Sequence, residues 1–299
     1  MKKTLVNTIK ALIWLLCIGA AAARGEVRVQ DYQDRLVSLP KPAARIVALA
    51  PHVVENLYAA GAGDKIVGVV EYSDFPAAAR HKARVGGHSA VSLEAIVALA
   101  PDLVIAWAAG TSSALVQRLL DLGITVYLDD PRRLADVARS LRDFGTLAGT
   151  ASVSEPRARN YLRQLDTLRT QFVDKKPVTV LYQVWHEPLQ TLNGKHIITD
   201  VIELCGGRNV FDDAVSLAPK ISLEAVFQRN PDVIIASGMG TARPAWLDHW
   251  RRWPELRAVR NNHLYVVPAD NIQRHTLRIL SGARQMCAHL AAVRSAERR

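Results

Sequence analysis

Short, almost continuous apolar runs alternate along this chain with longer segments in which apolar residues recur every three or four positions. The runs IVALA from residue 46, LVIAW from residue 103 and VTVLY from residue 178 have the length and composition of strands buried on both faces. Residues 134–147, between two such runs, have the periodicity of an amphipathic helix. The order β-α-β-α-β-α is followed by a second series of the same kind, which predicts two α/β units.

One stretch of sequence occurs twice. Residues 91–107 read VSLEAIVALAPDLVIAW and residues 221–238 read ISLEAVFQRNPDVIIASG, with Glu94 and Glu224 at matching places. A match of this length between distant segments indicates an internal duplication. We therefore expect the two predicted α/β units to be related copies.

The duplicated glutamates have two interpretations. Ser92 and Ser222 are predicted N-caps, so Glu94 and Glu224 would lie in the first helical turn, where the helix dipole stabilises an acid. This local role explains both residues without any function. The other interpretation is that two related lobes present two separated acidic contacts to a two-fold partner with basic pockets.

A single long helix is predicted between the lobes. Within residues 154–172, Tyr161, Leu165, Leu168 and Phe172 recur at helical spacing. A stiff helical connection restricts relative motion of the lobes, which favours a cleft of nearly constant shape. The predicted fold is therefore two Rossmann-like α/β lobes joined by one long helix, with a ligand cleft between them. The expected boundaries are a signal peptide at 1–23, an N-terminal lobe at 24–150, a connecting helix at 151–175 and a C-terminal lobe at 176–299.

The first 23 residues have the organisation of a secretory signal peptide. Three lysines precede a short apolar run, and four consecutive alanines at 20–23 supply an A-x-A cleavage site. The apolar run is short for a membrane span. A lipoprotein anchor at Cys17 is an alternative that the bulky Leu16 fits poorly. The sequence thus predicts an exported protein.

Charge and cysteine content narrow the function further. Removal of the signal peptide lowers the formal net charge from +10 to about +7, and these charges are dispersed. No basic stripe interleaved with aromatic residues occurs, which argues against a nucleic-acid partner. Cys205 and Cys287 remain after processing, and in an oxidising compartment we expect them to form a disulfide. Two buried free thiols are the alternative, because sequence does not supply the Cα geometry.

Enzymatic signatures are missing from the chain. It contains no G-x-S-x-G elbow, no phosphate-binding G-x-x-x-x-G-K-[ST] loop and no H-E-x-x-H pair. Trp246, Trp250 and Trp253 fall at helical spacing, which favours a core stripe over a ligand wall. The sequence gives no reason to expect catalysis, although an α/β-fold enzyme is the alternative from a different class.

Taken together, these segments resemble the periplasmic binding proteins of ABC importers for cobalamin, haem and ferric siderophores. The resemblance is carried by RIVALAPHVVENLYAAGAGDKIVGV from residue 45, YSDFP at 72–76, both S-L-E-A segments and the central helix. YSDFP and the cysteine contexts ELCGG and QMCAHL resemble the cobalamin-binding branch, which implies a Cys205–Cys287 disulfide. The resemblance also implies that Glu94 and Glu224 meet arginines of the permease.

The family resemblance implies a periplasmic monomer without a cofactor of its own. Its expected ligand is cobalamin or a related corrinoid, with haem or a ferric siderophore as the alternative. Its expected partners are an ABC permease and the associated ATPase at the inner membrane. The expected ligand-binding residues are Tyr72, His88, Trp107, Trp185, Asp270, Asn271, Ile272, Gln273 and Arg274.

Several of these residues admit more than one role. His88 is a candidate for direct ligation of iron or cobalt, although a lone histidine is more often an ordinary hydrogen-bonded residue. Trp185 follows a predicted strand at its carboxyl end, where α/β clefts bind ligands. Tyr72 and Trp107 could instead pack in the core, and Arg274 could be solvated.

Overall fold

The computed structural model describes residues 25–87, 90–237 and 244–296. The predicted signal peptide and His88 lie outside the described residues. In the part of the chain that is described, no helix has both the length and the apolar character needed to cross a membrane.

The N-terminal lobe is built on a five-stranded parallel sheet with the strand order β5-β4-β3-β6-β7. A two-stranded antiparallel hairpin precedes this sheet along the chain. The strands are β1 (Val27–Gln30), β2 (Leu36–Leu39), β3 (Ile46–Ala48), β4 (Ile66–Val69), β5 (Ala83–Arg84), β6 (Leu103–Trp107) and β7 (Val126–Asp129). The helices are α1 (Pro51–Ala59), α2 (Leu93–Ala98), α3 (Ser113–Asp121) and α4 (Leu134–Ala148).

Both faces of this sheet are covered. Ile46 and Ile105 belong to one buried cluster, whereas Val47 and Val104 belong to another. Successive strand residues point to opposite faces, so the alternation places one apolar cluster on each side. The sheet is therefore the middle of three layers, and the predicted α/β class of this lobe is confirmed.

The C-terminal lobe has a four-stranded parallel sheet in the order β11-β8-β12-β13. Its strands are β8 (Val178–Gln183), β11 (Gly207–Asn209), β12 (Val233–Ala236) and β13 (Leu264–Val266), and a small hairpin is formed by β9 (Trp185–His186) and β10 (Leu189–Gln190). The helices are α6 (Ile197–Leu204), α7 (Leu223–Arg229), α8 (Arg257–Arg260), α9 (Ala269–Ile272) and α10 (Ile279–Ala296).

The tryptophan segment forms a 3-10 helix over Ala245–Arg252. Trp250 is buried, and Trp246 and Trp253 pack half-buried against the same apolar cluster. The core interpretation of these residues is therefore confirmed. Trp246 also stacks on His186, with ring centroids 5.5 Å apart.

The lobes are connected by α5 (Ala151–Thr170), a helix of 20 residues. Tyr161, Leu165 and Leu168 are buried along it and belong to one apolar cluster with core residues of both lobes. The hydroxyl of Tyr161 donates to the carbonyl of Leu134 at 2.9 Å. The connection is thus packed on the protein along its length.

Cys205 and Cys287 form a disulfide, with Cα atoms 4.7 Å apart. The bond joins the end of α6 to the C-terminal helix α10. The alternative of two free thiols is wrong.

The duplicated segments fold alike. Ser92 Oγ accepts from the amide of Ala95 at 3.0 Å, and Ser222 Oγ accepts from the amide of Ala225 at 3.2 Å. Both predicted N-caps are therefore present. Glu94 and Glu224 lie in the first turns of α2 and α7, and both are exposed.

The P-D dipeptide within each copy has a shared structural role. Asp102 accepts from the amides of Ala44 and Arg45 at 2.8 and 3.0 Å, just before β3. Asp232 accepts from both the amide and the hydroxyl of Thr179, at 2.9 and 2.6 Å, at the start of β8. Each aspartate therefore ties its own strand to the first central strand of its lobe.

Candidate ligand-binding cavity between the lobes

A cavity of about 1020 Å³ opens at the carboxyl ends of the strands of the N-terminal sheet. Residues that directly follow β3 and β4 line it, together with Trp107 at the end of β6 and the first turn of α3. Residues 269–275 complete it from the C-terminal lobe. The carboxyl edge of a parallel sheet leaves such a crevice because the chain turns away in both directions there.

The floor of the cavity is made of aromatic rings from both lobes. His52, in the first turn of α1, lies edge-on to Trp107 with centroids 5.5 Å apart. His275 of the C-terminal lobe lies 5.4 Å from His52 and 6.1 Å from Trp107. Both histidines are buried, so the three rings form a closed contact across the lobe boundary.

Several polar atoms at or behind this floor have no hydrogen-bond partner among the residues that the structure describes. They include Trp107 Nε1, His275 Nδ1 and Asp129 Oδ2. Asp129 is fully buried, and its Oδ2 lies 3.4 Å from His52 Nε2 while its Oδ1 accepts from the Ser140 hydroxyl at 2.6 Å. Buried polar groups are normally paired, so a cluster of unpaired ones beside a cavity is a place where a ligand or water is bound.

Two histidines near the floor, His275 and His196, have lowered pKa values. Burial lowers the pKa of His275 well below its usual range, and the neighbouring rings of His52 and His196 act in the same direction. Burial, with a further contribution from Arg132, lowers the pKa of His196 to about 4. At neutral pH His275 and His196 therefore bring dipoles and not positive charge to this region.

An ion network joins the two lobes beside the cavity. Glu55 of α1 is buried and accepts from Arg274 Nη1 at 2.8 Å and from Arg278 Nη2 at 2.7 Å. Arg274 also contacts Asp74 at 3.0 Å and Asp270 at 3.1 Å. The structure therefore does not support the solvated interpretation of Arg274, because its guanidinium is shared among three carboxylates.

Five of the expected ligand-binding residues line this cavity: Tyr72, Trp107, Asp270, Gln273 and Arg274. Tyr72 has 73% of its surface exposed and a left-handed backbone, with φ at 61°. This conformation turns its ring out of the loop after β4, so Tyr72 is not the core residue of the alternative interpretation. Trp107 is partly buried and packs against the apolar core as well as lining the cavity.

The other expected residues are placed differently. Ile272 is fully buried in the core and does not line the cavity, because α9 turns that side chain inward. Asn271 is half-buried and is not part of the lining. Trp185 is 42% exposed on the β9–β10 hairpin, where its ring packs 5.2 Å from His186, and it does not border this cavity.

Sequence reasoning missed several residues of the site. His52 and Glu71 directly follow the predicted strands β3 and β4, so the carboxyl-end rule could have found both. Asp129 ends β7 and could have been found by the same rule, whereas nothing in the local sequence sets His275 apart, since its place beside His52 follows from the packing of separate segments. Among the residues described by the structure, no group of three or more His, Cys, Asp or Glu side chains is arranged to hold a metal ion.

Comparison with known proteins places the chain in a family. A family model described as a periplasmic binding protein matches residues 46–271. The chain belongs to this family. The match includes both sheets, the connecting helix and most of the residues that line the cavity.

Individual relatives agree with this assignment. A vitamin B12-binding protein of Vibrio cholerae serotype O1 is 37% identical over 256 residues, which cover 85% of this chain and 92% of the relative. The crystal structure of the periplasmic vitamin B12-binding protein BtuF of Vibrio cholerae matches with a TM-score of 0.79 at 36% identity, covering 85% of this chain and 98% of that one. The periplasmic haem-binding protein RhuT from Roseiflexus sp. RS-1, at 20% identity and a TM-score of 0.74 over 84% of this chain and 99% of that one, shows the shared fold alone.

Proposed function

We propose that this chain is a periplasmic substrate-binding protein that captures cobalamin or a related corrinoid and delivers it to an ABC importer permease. The observation that carries the proposal is the 37% identity to a vitamin B12-binding protein over 85% of the chain. The cavity of about 1020 Å³ supports it, because it lies at the upper end of the range of small-molecule sites, roughly 300 to 1,000 Å³, as a macrocycle requires.

We assign the ligand contacts to both lobes. Tyr72 and Trp107 offer aromatic surface for the apolar faces of a corrin ring, while Gln273 and Asp270 offer hydrogen bonds to its carboxamides. The unpaired polar atoms of Trp107 and His275 add partners at the floor. His88 and Trp185 remain candidate contacts, with Trp185 placed at the carboxyl end of β8.

We further propose that Glu94 and Glu224 contact the permease. Both carboxylates are exposed at helix starts. In each case the residue's own backbone amide, followed by the hydroxyl of the capping serine, lowers the pKa of the glutamate. Both are therefore ionised at neutral pH, as charge-complementary docking on basic pockets requires.

The proposed location is the periplasm, reached by cleavage of the predicted signal peptide at 1–23. This rests on the arrangement of lysines, apolar run and alanines in the sequence and on the family assignment.

Equilibrium dialysis of the mature chain against cyanocobalamin, haemin and ferric chelates tests the ligand. We expect retention of cyanocobalamin at one molecule per chain and a rise in melting temperature, since a ligand at 100 times its Kd stabilises by about 2.7 kcal/mol. Retention of haemin or a ferric chelate without retention of cyanocobalamin would refute the proposal.

Uptake by cells tests the docking residues. Glu224→Arg and the double variant Glu94→Arg with Glu224→Arg should abolish cobalamin uptake, while Glu255→Arg, an exposed acid elsewhere on the C-terminal lobe, should not. Cobalamin binding of each variant is measured alongside, because Glu94 also borders the cavity. Normal uptake by the double variant would contradict docking through these residues.

A further inference from the structure

The walls of the cavity are acidic although the chain as a whole is basic. Among the described residues that line it, the carboxylates are Glu71, Asp74, Glu94 and Asp270, and the guanidiniums are Arg118 and Arg274. The lining therefore carries two more negative than positive side chains, whereas the whole chain carries a formal charge of +10. His275, which also lines the cavity, is neutral because burial lowers its pKa.

The guanidinium of Arg274 is already engaged. It contacts Glu55, Asp74 and Asp270, while Arg278 contacts Glu55. Three carboxylates thus share two guanidiniums, and the network keeps a net negative charge. Arg274 has no surplus positive charge to offer an anionic ligand.

The second guanidinium of the lining lies at the rim. Arg118 is exposed on α3, and its charge helps to lower the pKa of Glu94. Arg118 and Glu94 therefore offset one another where the cavity meets solvent. The rest of the lining has three carboxylates, Glu71, Asp74 and Asp270, against the single guanidinium of Arg274.

Glu71 is the clearest source of uncompensated charge in the wall. It forms no ion pair with any residue that the structure describes, and it lines the cavity beside Tyr72. Its carboxylate lies over Gly87, where an added Cβ would be 2.5 Å from Oε2. Behind the floor, Oδ2 of the fully buried Asp129 has no hydrogen-bond partner among the described residues.

We infer that this cavity selects neutral or cationic corrin macrocycles that carry carboxamides, and rejects macrocycles and iron chelates that carry carboxylates. A carboxamide can donate its N–H groups to the carboxylates of the wall. A carboxylate of the same size has no proton to donate and is repelled by Glu71, which is exposed in the cavity wall. The inference rests on the proposed function and narrows it, since it separates corrinoids from haem, whose propionates are anionic.

A matched pair of ligands on one corrin frame tests it. A monocarboxylic acid of cyanocobalamin, made by hydrolysis of one peripheral amide, is compared with its N-methylamide, which has a similar shape but no charge. Near neutral pH and about 0.01 M salt, where the Debye length is roughly 30 Å, we expect the acid to bind about tenfold more weakly than the amide. The ratio of the dissociation constant of the acid to that of the amide should shrink towards one in about 1 M salt, where the Debye length is about 3 Å.

Two variants locate the effect. Glu71→Gln should lower the acid-to-amide ratio of dissociation constants at low salt by about threefold, because it removes one negative charge from the wall. Glu255→Gln removes one exposed charge from outside the cavity and should leave the ratio unchanged. Because the measured quantity is the ratio of the dissociation constants of two ligands, a variant that binds both ligands more weakly by the same factor leaves it unchanged.

The outcomes separate this inference from the function on which it rests. Equal affinities of wild type for the acid and the amide at low salt, with cyanocobalamin still bound, would overturn the inference alone. A ratio that Glu71→Gln leaves unaltered would overturn it too. Failure of the wild type to bind cyanocobalamin would overturn the proposed function itself.

Discussion

In the N-terminal lobe, the helix that begins after Ser92 borders the ligand cavity, whereas the matching helix after Ser222 contributes nothing to the lining. Each helix nevertheless has the same serine cap and the same exposed glutamate. The duplicated local structure is therefore preserved, while its surroundings have diverged.

The lobes also differ in what supports them. The C-terminal lobe contains the Cys205–Cys287 bond. Its helix α6 is capped by His196, whose Nδ1 accepts from the amide of Ile198 at 3.2 Å, while α1 of the N-terminal lobe begins with Pro51 and has no side-chain cap. The N-terminal lobe supplies most of the cavity wall, and the C-terminal lobe supplies one segment, 269–275. Four sets of variants would sharpen or break this comparison.

Removal of the disulfide should have the largest effect. The bond closes a separation of 82 residues, and a crosslink of that length stabilises by about 4 kcal/mol in the chain-entropy account. We expect Cys205→Ala with Cys287→Ala to lose about that free energy of unfolding in urea. Reduced wild type should lose the same amount, and no change in either sample would show that the crosslink does not stabilise the C-terminal lobe.

The cap of α6 should make stability depend on pH. Burial lowers the pKa of His196 to about 4, while an unfolded histidine has a pKa of about 6.5. Above pH 6.5 the folded and unfolded forms are both neutral at this site. As pH falls towards 4, the unfolded chain takes up the proton first, so the free energy of unfolding drops by about 3 kcal/mol.

His196→Asn keeps a capping oxygen and removes this titration. We expect the drop in the free energy of unfolding between pH 6.5 and 4 to be smaller in this variant by about 3 kcal/mol. His249→Asn, an exposed position, should show the wild-type drop. If the free energy of unfolding of wild type and of His196→Asn fell by the same amount between pH 6.5 and 4, the pH dependence would not come from His196.

Substitution of Asp102 and of Asp232 should show whether the P-D dipeptides stabilise the two lobes by similar free energies. Asp102→Ala leaves two backbone amides without their acceptor and should cost about 1 to 2 kcal/mol. Asp232→Ala loses two hydrogen bonds and also an ion pair with Arg257 at 2.8 Å, so we expect a slightly larger cost, about 2 kcal/mol. Urea unfolding measures both, with Asp166→Ala on the exposed face of α5 as the control. A loss in only one variant would show that the shared geometry is not equally stabilising.

The smallest change in the free energy of unfolding is expected from a substitution at the residue that precedes the P-D dipeptide by one position. Ala100 and Asn230 occupy matching positions with left-handed backbones, at φ values of 43° and 40°. Asparagine tolerates this conformation better than alanine, which pays about 1 kcal/mol for it. Ala100→Asn, which copies the C-terminal lobe, should raise the free energy of unfolding by about 0.5 kcal/mol. A measured decrease would mean that other contacts of Ala100 matter more.

Much of the fold could be predicted because its determinants are local. These determinants are the apolar runs of strand length, the serines that begin the S-L-E-A segments and the prolines that follow the repeated helices. Each acts within a few residues, and the structure has strands and helices at those places. The disulfide was expected from compartment and family resemblance, and geometry confirmed it.

The site was predicted only in part. Tyr72 and Trp107 were expected from the family resemblance, and both line the cavity. Ile272 was placed in the wrong environment, since the four-residue helix α9 buries Ile272 and leaves its other three residues partly exposed, a difference that the sequence alone does not reveal. The contact between His52 and His275 joins residues 223 positions apart, so no local pattern could predict it.

The sequence by itself determined the duplicated α/β lobes, the helix between them and the caps that start the repeated helices, because these depend on periodicity and on neighbours along the chain. The tertiary structure alone decided that Arg274 is neutralised by Glu55 and that two buried histidines meet at the cavity floor. Charge balance and burial depend on which distant side chains are brought within a few ångströms, and only the packing of one lobe on the other sets those distances.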